Sequence, residues 1–230
     1  MTMQINEINN VAELTDEFNE SGIVRVFDFL QQDSVNQLKT CMETNVEFGN
    51  AFYLNGENKL ATDEDIKKLP IATQQKLFKD IHQLASNGAG FLYGRHKIEQ
   101  NSPKELNSML ELINTNGVLE IIRSITSVSS LTHADGQATR YRRGDFLTRH
   151  IDNIPGETRR IAYVLGTTDD WHPDWGGLLQ FFQKDGTPTT SWSPTINSLT
   201  LFDVNKVHSV TYVTPFAAKN RYSITGWFRV

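Results

Sequence analysis

The chain has 230 residues, 38% of them hydrophobic and 21% charged, which is ordinary globular composition with enough apolar material for a core. Its formal net charge of −5 gives no sign of a general nucleic-acid or membrane binder, though a local basic patch fits within that total. The opening MTMQINEINNVAELTDEF has no apolar run like a signal-peptide core, no stretch approaches the roughly 18 apolar residues of a membrane span, and the single cysteine, Cys41, has no disulfide partner, so a cytoplasmic protein is expected.

The first half reads as helices around one strand. That strand is GIVRVFDFL (22–30), rich in β-branched and aromatic residues. DSVNQLKTCMETN follows as a helix with Asp33 as N-cap, and Cys41 beside Met42 in it reads as a small core residue rather than a catalytic thiol. TDEDIKKLP is a short helix stopped near Pro70, and ATQQKLFKDIHQLASNG is a longer one ending at Asn87 and Gly88. SPKELNSMLELINTNG takes Ser102 as N-cap, Pro103 at its first helical position and Glu105 three residues after the cap. VLEIIRSITS is the last helix. His82 and His96, in this half, read as structural or solvated residues.

From about residue 137 the character changes to short strands: ATRYRR, FLTRHID, RRIAYVLG, GGLLQFFQ, SLTLFDV, HSVTYV and RYSITGWFRV, punctuated by Gly, Pro, Asn and Asp. This pattern predicts a barrel of antiparallel strands, a jelly roll or double-stranded β-helix, with the helices packed outside one sheet. The fold class is α+β. One domain over 1–230 is expected, with 1–136 as a mainly helical support region and 137–230 as the β-barrel core.

Within FLTRHID, His150 and Asp152 are two apart on a strand and so project from one surface. A third ligand candidate, His208 in NKVHSVTYV, lies in a second strand. Two imidazoles and a carboxylate converging from two strands can cap one face of an Fe(II) ion and leave the other open to substrate and O₂. The competing reading is two polar residues on a solvated face. H-x-D is a short pattern, and His133-Ala134-Asp135 is a second copy, followed by Gly136 and Gln137; it reads as a turn before the barrel.

In RYSITGWFRV, strand alternation places Arg221, Ser223, Thr225 and Trp227 on one face and Tyr222, Ile224 and Phe228 on the other. The polar face either meets water or lines a site. HSVTYV–TPFAAKN–RYSITGWF reads as a hairpin that would bring Arg221 within reach of a metal at His208. A planar guanidinium suits bidentate capture of a carboxylate, and the Ser223 hydroxyl can add a further bond. A dicarboxylate co-substrate could chelate the metal at one end and meet Arg221 at the other.

From about Ala138 to the end the chain resembles the catalytic barrel of the Fe(II)/2-oxoglutarate-dependent dioxygenases, in their prolyl-hydroxylase branch and most of all its ribosomal-protein prolyl hydroxylases. The pieces that carry the resemblance, in the family's order, are RHID, RRIAYVL, DDW…WGGLLQFF, SPTINSLTLFDV, VHSV and RYSITGWF. The helical half matches only in style. The resemblance implies that His150, Asp152 and His208 ligate iron and that Arg221, supported by Ser223, grips the distal carboxylate of 2-oxoglutarate. It implies further that Tyr141 stands near the co-substrate and that Trp227 walls the pocket.

The implied cofactors are Fe(II), 2-oxoglutarate and O₂, with ascorbate as a reductant. The implied reaction hydroxylates a prolyl residue of a protein substrate, a ribosomal protein among the candidates, and releases succinate and CO₂. Alternatives are the same iron chemistry on a free amino acid, small metabolite or alkylated base, and, from another class, a non-catalytic jelly-roll binding protein. Neither a membrane nor direct nucleic-acid contact is expected. One departure stands out: relatives often read ILYL where this chain has Val164-Leu165-Gly166-Thr167, so a second tyrosine contact falls on Gly166, and Tyr163 has the opposite strand parity. Trp171, His172 and Trp175 in DDWHPDWGG either line a substrate groove or anchor a loop, and Gly176 and Gly177 allow a tight turn at a strand start. Arg140, Arg142 and Arg143 form a basic cluster that reads better as a solvated strand face than as a guide for an acidic partner.

Overall fold

The computed structural model describes residues 3–230; Met1 and Thr2 of the opening segment lie outside the described residues. The first half contains α1 (Val11–Ser21), β1 (Ile23–Val26), α2 (Gln32–Thr44), β2 (Gly49–Leu54), β3 (Glu57–Ala61), α3 (Asp63–Lys68), α4 (Ile71–Ser86), β4 (Phe91–Lys97), α5 (Lys104–Ile113) and α6 (Asn116–Thr126). The second half contains β5 (His133–Ala134), β6 (Gln137–Tyr141), β7 (Phe146–His150), β8 (Arg159–Gly166), β9 (Leu179–Phe182), β10 (Pro188–Trp192), β11 (Leu199–Asp203), β12 (His208–Val210) and β13 (Arg221–Arg229).

All ladders are antiparallel. They join into one curled sheet of order β1-β11-β8-β13-β6-β4-β7-β12-β9-β10, with β2 and β3 added beside β4 and β5 added to β13. The curl makes β1-β11-β8-β13-β6 one wall of a jelly roll and β7-β12-β9-β10 the other. The two walls share an inner apolar cluster of Ile23, Ala162, Phe202, Leu179 and Phe181.

The strand half was expected to close this barrel alone, and here the structure differs. β4, from the first half, is the stave between the walls: Gly94 to Lys97 pair with Arg140 to Gln137, and Phe91 and Leu92 pair with Leu147 and Phe146. Gly94 suits that place, because a Cβ there would meet Arg140 at 3.1 Å. β1 extends the first wall, pairing with β11. Residues 3–136 are therefore part of the barrel as well as its cover.

Strand alternation sorts β8 as its sequence suggests. Ile161, Tyr163 and Leu165 face outward into the main core, where Leu14 and Phe18 of α1, Leu38 and Met42 of α2, Met109 of α5 and Ile122 of α6 cover them. Each such buried side chain contributes roughly 1.5–3 kcal/mol of hydrophobic stabilisation. Cys41 belongs to this core, and burial pushes its thiol up to about 12, as expected for an inert packing residue. α4 packs elsewhere, with Ile81 against Phe52, Leu92 and Phe146, so the helices do not all cover one sheet.

Several local expectations shift. Thr62 and Asp65 form a reciprocal capping box at α3. α2 begins at Gln32, which places Asp33 in the first turn instead of at the cap. Ser102 does not cap α5; its hydroxyl accepts from the Glu99 N–H at 2.9 Å and meets His96 Nε2 at 2.9 Å, which makes His96 structural. β12 and β13 are not a hairpin either. Both edges of β12 are filled, by β7 and β9, so residues 211–220 cross to the opposite wall, where β13 pairs with β6 and β8.

Candidate metal centre

His150 ends β7 and His208 begins β12, and the two are directly opposed in the ladder. Just past β7, the backbone N–H groups of Asp152 and Asn153 both donate to the Val204 carbonyl, at 2.9 and 3.1 Å, and this turns the Asp152 side chain inward. The two Nε2 atoms each lie 3.6 Å from a different Asp152 oxygen, and one ligand-type atom from each residue falls within 4.8 Å of the other two. This is the one such group of three among the described residues.

The rings are aimed by the backbone. His150 Nδ1 lies 3.0 Å from the Thr148 carbonyl and His208 Nδ1 lies 2.9 Å from the Lys206 carbonyl. A carbonyl can only accept, so Nδ1 carries the proton and each Nε2 lone pair is free. Burial first, and the neighbouring His150 second, lower His208 to about 4. Burial alone would raise the Asp152 carboxyl, but His150 and then His208 hold it below its ordinary value. Two imidazoles beside a carboxylate are a donor set for a borderline divalent ion such as Fe(II).

The triad opens into a cavity of about 600 Å³ between the walls. Arg221 lines it from the facing wall and is only 4% exposed. Its guanidinium lies 5.0 Å from the Tyr141 ring, its Nη1 has no hydrogen-bond partner, and Tyr141 stacks on Tyr93 at 5.2 Å. Trp227 also lines the cavity, with a buried, unpartnered Nε1 beneath Arg159, whose guanidinium sits 3.7 Å over the ring. The unpartnered Arg221 donor, lining one cavity with the triad, is satisfied by an acidic ligand, so the residues present fit a metal and a carboxylate together. The polar face of β13 is thus turned into the barrel, away from water. Ser223 shares it, and its hydroxyl bonds Thr139 Oγ1 at 2.8 Å.

Other candidates go elsewhere. Trp171 and Trp175 do not reach this cavity: the Trp171 indole donates to the Gly176 carbonyl at 2.9 Å and meets Trp175 edge-on, anchoring the 171–177 loop. Gly176 and Gly177 both have positive φ there, and a Cβ on Gly176 would meet the Tyr212 carbonyl oxygen at 2.0 Å. His133 lies on β5 instead of in a turn, and Asp135 is tied to Arg229 at 2.7 Å. The basic cluster is not a solvated face. Arg140 lies against Phe48, Arg142 pairs with Asp63 at 3.2 Å, and Arg143 donates to the Ala217 carbonyl at 2.6 Å. Tyr93 is the pocket residue that sequence reasoning missed; the alternation in FLYGRHK, once read as a strand, puts Tyr93 and Arg95 on one face.

Residues 136–229 match the family model of the 2OG-Fe(II) oxygenase superfamily. Over 101 residues the chain is 34% identical to prolyl 3-hydroxylase OGFOD1 of Mus musculus, a match covering 41% of this chain and 18% of that protein. The match thus spans less than a fifth of the relative's length. Among solved structures, a Pseudomonas putida prolyl-4-hydroxylase superposes with a TM-score of 0.63 at 21% identity, over 95% of this chain and 98% of the other. A prolyl hydroxylase from Trichoplax adhaerens, in complex with a hypoxia inducible factor oxygen degradation domain peptide fragment, superposes with a TM-score of 0.64 at 14% identity, over 95% and 88%. These two likenesses establish the fold.

Proposed function

We propose that this chain, a member of the 2OG-Fe(II) oxygenase superfamily through residues 136–229, is a dioxygenase that hydroxylates a prolyl residue of a protein and releases succinate and CO₂. The observation that carries the reading is one cavity holding both the His150–Asp152–His208 set and the unpartnered Nη1 of Arg221. His150 and His208, through Nε2, and Asp152, through a carboxylate oxygen, hold the metal. Bound Fe(II) supplies activation of O₂ and the oxidative decarboxylation of 2-oxoglutarate, and ascorbate serves as reductant.

The chain's own residues bind and orient. Arg221 takes the distal carboxylate in its planar fork, and the Tyr141 ring beneath it limits its rotation. Ser223 bonds across to Thr139, its register partner on β6, and so fixes the stretch of β13 that carries Arg221. Trp227 lines the same space, and the apolar walls keep bulk water from it. We read the chain as one catalytic domain, since β1 and β4 complete the sheet that carries these groups.

Prolyl hydroxylation is supported by the mouse relative and by the shared fold of the two solved prolyl hydroxylases. Leu60, Ile151 and Ile154, exposed at the cavity mouth, suit contact with a polypeptide. A ribosomal protein is the first target to test, as the sequence resemblance implies, and a cytoplasmic setting goes with it. No helix among the described residues is long and apolar enough to cross a membrane. The same chemistry on a free amino acid, small metabolite or alkylated base is the alternative. A non-catalytic binding protein is not favoured, because a buried, unpaired guanidinium is costly to keep without a ligand.

The test is succinate release by purified protein with Fe(II), 2-oxoglutarate and ascorbate in air, with and without fractionated cell protein. Mass spectrometry of the stimulating fraction should show hydroxyproline. Stimulation by amino acids or small metabolites alone would move the substrate class, and no 2-oxoglutarate turnover under any condition would overturn the enzyme reading.

A further inference from the structure

We infer that Arg25, on β1, is a second cation of the subsite that receives the distal carboxylate of the co-substrate, acting beside Arg221; this rests on the dioxygenase reading above. β1 alternates: Val24 and Val26 enter the outer core, while Ile23 packs with Leu179, Phe181 and Phe202 inside the barrel. Arg25 has the parity of Ile23 and therefore faces inward. Its Nε donates to Thr200 Oγ1 at 3.3 Å and its Nη1 to the Ser193 carbonyl at 3.3 Å, and the guanidinium lies 4.5 Å from the Trp192 ring. Every one of these partners is uncharged.

A small cavity that shares Val164, Leu179, Arg221 and Ser223 with the metal cavity is lined also by Arg25, Gly166, Trp192 and Ser198, and no Asp or Glu lines it. Neither arginine has a carboxylate within ion-pair distance among the described residues, whereas Arg159 on β8 pairs with Glu157 at 2.7 Å. Two guanidiniums facing one low-dielectric cavity repel each other and lack the water that would screen them. Their proximity is felt: burial first, and Arg221 second, lower Arg25 to about 10. An anion placed between them removes both penalties at once.

Gly166 makes the arrangement feasible. A Cβ at that position would meet the Thr195 carbonyl oxygen at 2.1 Å, so the bare glycine lets the 193–198 segment close against β8. That segment supplies Ser193 and Thr195, which hold the Arg25 guanidinium, and Ser198, whose hydroxyl donates to the Thr195 carbonyl at 2.8 Å. Arg25 is thereby delivered to the end of the cavity where Arg221 stands. The ligand that matches two fixed cations there, with a metal triad at the other end, is a 2-oxo acid bearing a second, fully ionised carboxylate.

The experiment compares the parent with Arg25→Gln, Arg25→Met and Arg25→Lys, all loaded with Mn(II) and titrated calorimetrically with 2-oxoglutarate and with 2-oxobutyrate, which lacks the distal carboxylate. Arg25→Gln and Arg25→Met should each weaken 2-oxoglutarate about tenfold while leaving Mn(II) and 2-oxobutyrate affinities unchanged. Arg25→Met keeps an apolar stem on Trp192 and stands in if the Gln variant fails to fold. Arg25→Lys, which keeps charge but not the planar fork, should recover part of the loss; a purely structural role for the fork would leave it as weak as Met. Equal 2-oxoglutarate affinity in parent and uncharged variants overturns the inference and leaves the dioxygenase reading intact. Equal weakening of both ligands also overturns it, since that marks lost pocket shape. A parent that binds no 2-oxoglutarate overturns both.

Discussion

His208 and His150 are register partners across the β12–β7 ladder, although they are far apart along the chain, and Asp152 presents one oxygen to each. The ladder, the Val204 carbonyl and the two Nδ1–carbonyl bonds fix this geometry. Replacing His208 or Asp152 by Ala should therefore weaken Mn(II) by more than the roughly 10–100-fold that loss of an outer-shell partner costs. His133→Ala, in the second H-x-D, should leave Mn(II) binding unchanged. Isothermal titration of the three variants checks both halves, and metal loss on His133→Ala would place the metal at the second H-x-D instead.

Arg221→Ala removes a charge-assisted fork while leaving the triad alone. Bonds to charged groups contribute about 1.5–3 kcal/mol each, so 2-oxoglutarate should weaken by roughly two orders of magnitude or more. Arg221→Lys should recover only part of this. Titration of Mn(II)-loaded protein decides it; equal affinity in parent and Ala variant would refute the assignment of Arg221.

Gly166→Ala tests how tightly the 193–198 segment closes. The added methyl meets a carbonyl oxygen at 2.1 Å, and overpacking of this kind costs about 1–3 kcal/mol. Gly117→Ala, whose new Cβ finds nothing within 4 Å, should be neutral or mildly stabilising. Urea unfolding midpoints of the two variants should move apart; a tolerated Gly166→Ala would mean that the segment yields.

Asp145 gives a pH dependence of definite sign. Burial raises its carboxyl to about 7, against the opposing pull of the Arg142 N–H and charge. An unfolded Asp titrates near about 3.9, so between about pH 4 and 7 the folded chain keeps a proton the unfolded chain has released. Stability from this group is thus greatest below about pH 4 and falls as pH rises to 7, by roughly 4 kcal/mol at most. Asp145→Asn keeps an acceptor for the Arg142 N–H and should flatten that part of the curve. The measurement is urea stability of parent and variant across the window; parallel curves would refute the shift.

The triad was legible because its first two members obey the two-residue repeat of a strand. β8 and the polar face of β13 were legible for the same reason. What stayed hidden depends on pairings between distant segments. FLYGRHK is a short run with a glycine in its middle, and nothing local says that it will join β6 to β7. Tyr93 stayed hidden with it, and Arg25 stayed hidden because the face that β1 presents to the barrel is fixed only by its pairing with β11. The β12–β13 hairpin failed for the converse reason: nearness in sequence favoured a pairing that β7 and β9 already occupied. β10 was missed because TPTTSW carries a proline and no apolar alternation.

The pairing of β1 with β11 bears on how the protein is made. During synthesis Ile23, Val24 and Val26 leave the ribosome long before Phe202, Leu201 and Leu199, their ladder partners, exist. β4 waits likewise for β6 and β7. α1 and α6 can pair early, but their apolar faces have no sheet to cover until β8 and β13 arrive. The nascent chain therefore carries unpaired strands and a bare helical layer until the later strands are made, and the jelly roll closes only once β13 has emerged. Folding of this kind is dominated by long-range contacts, slow to nucleate and prone to association while it waits. Yield of the native protein should thus respond to the supply of chaperones on the ribosome more strongly than its finished stability would suggest.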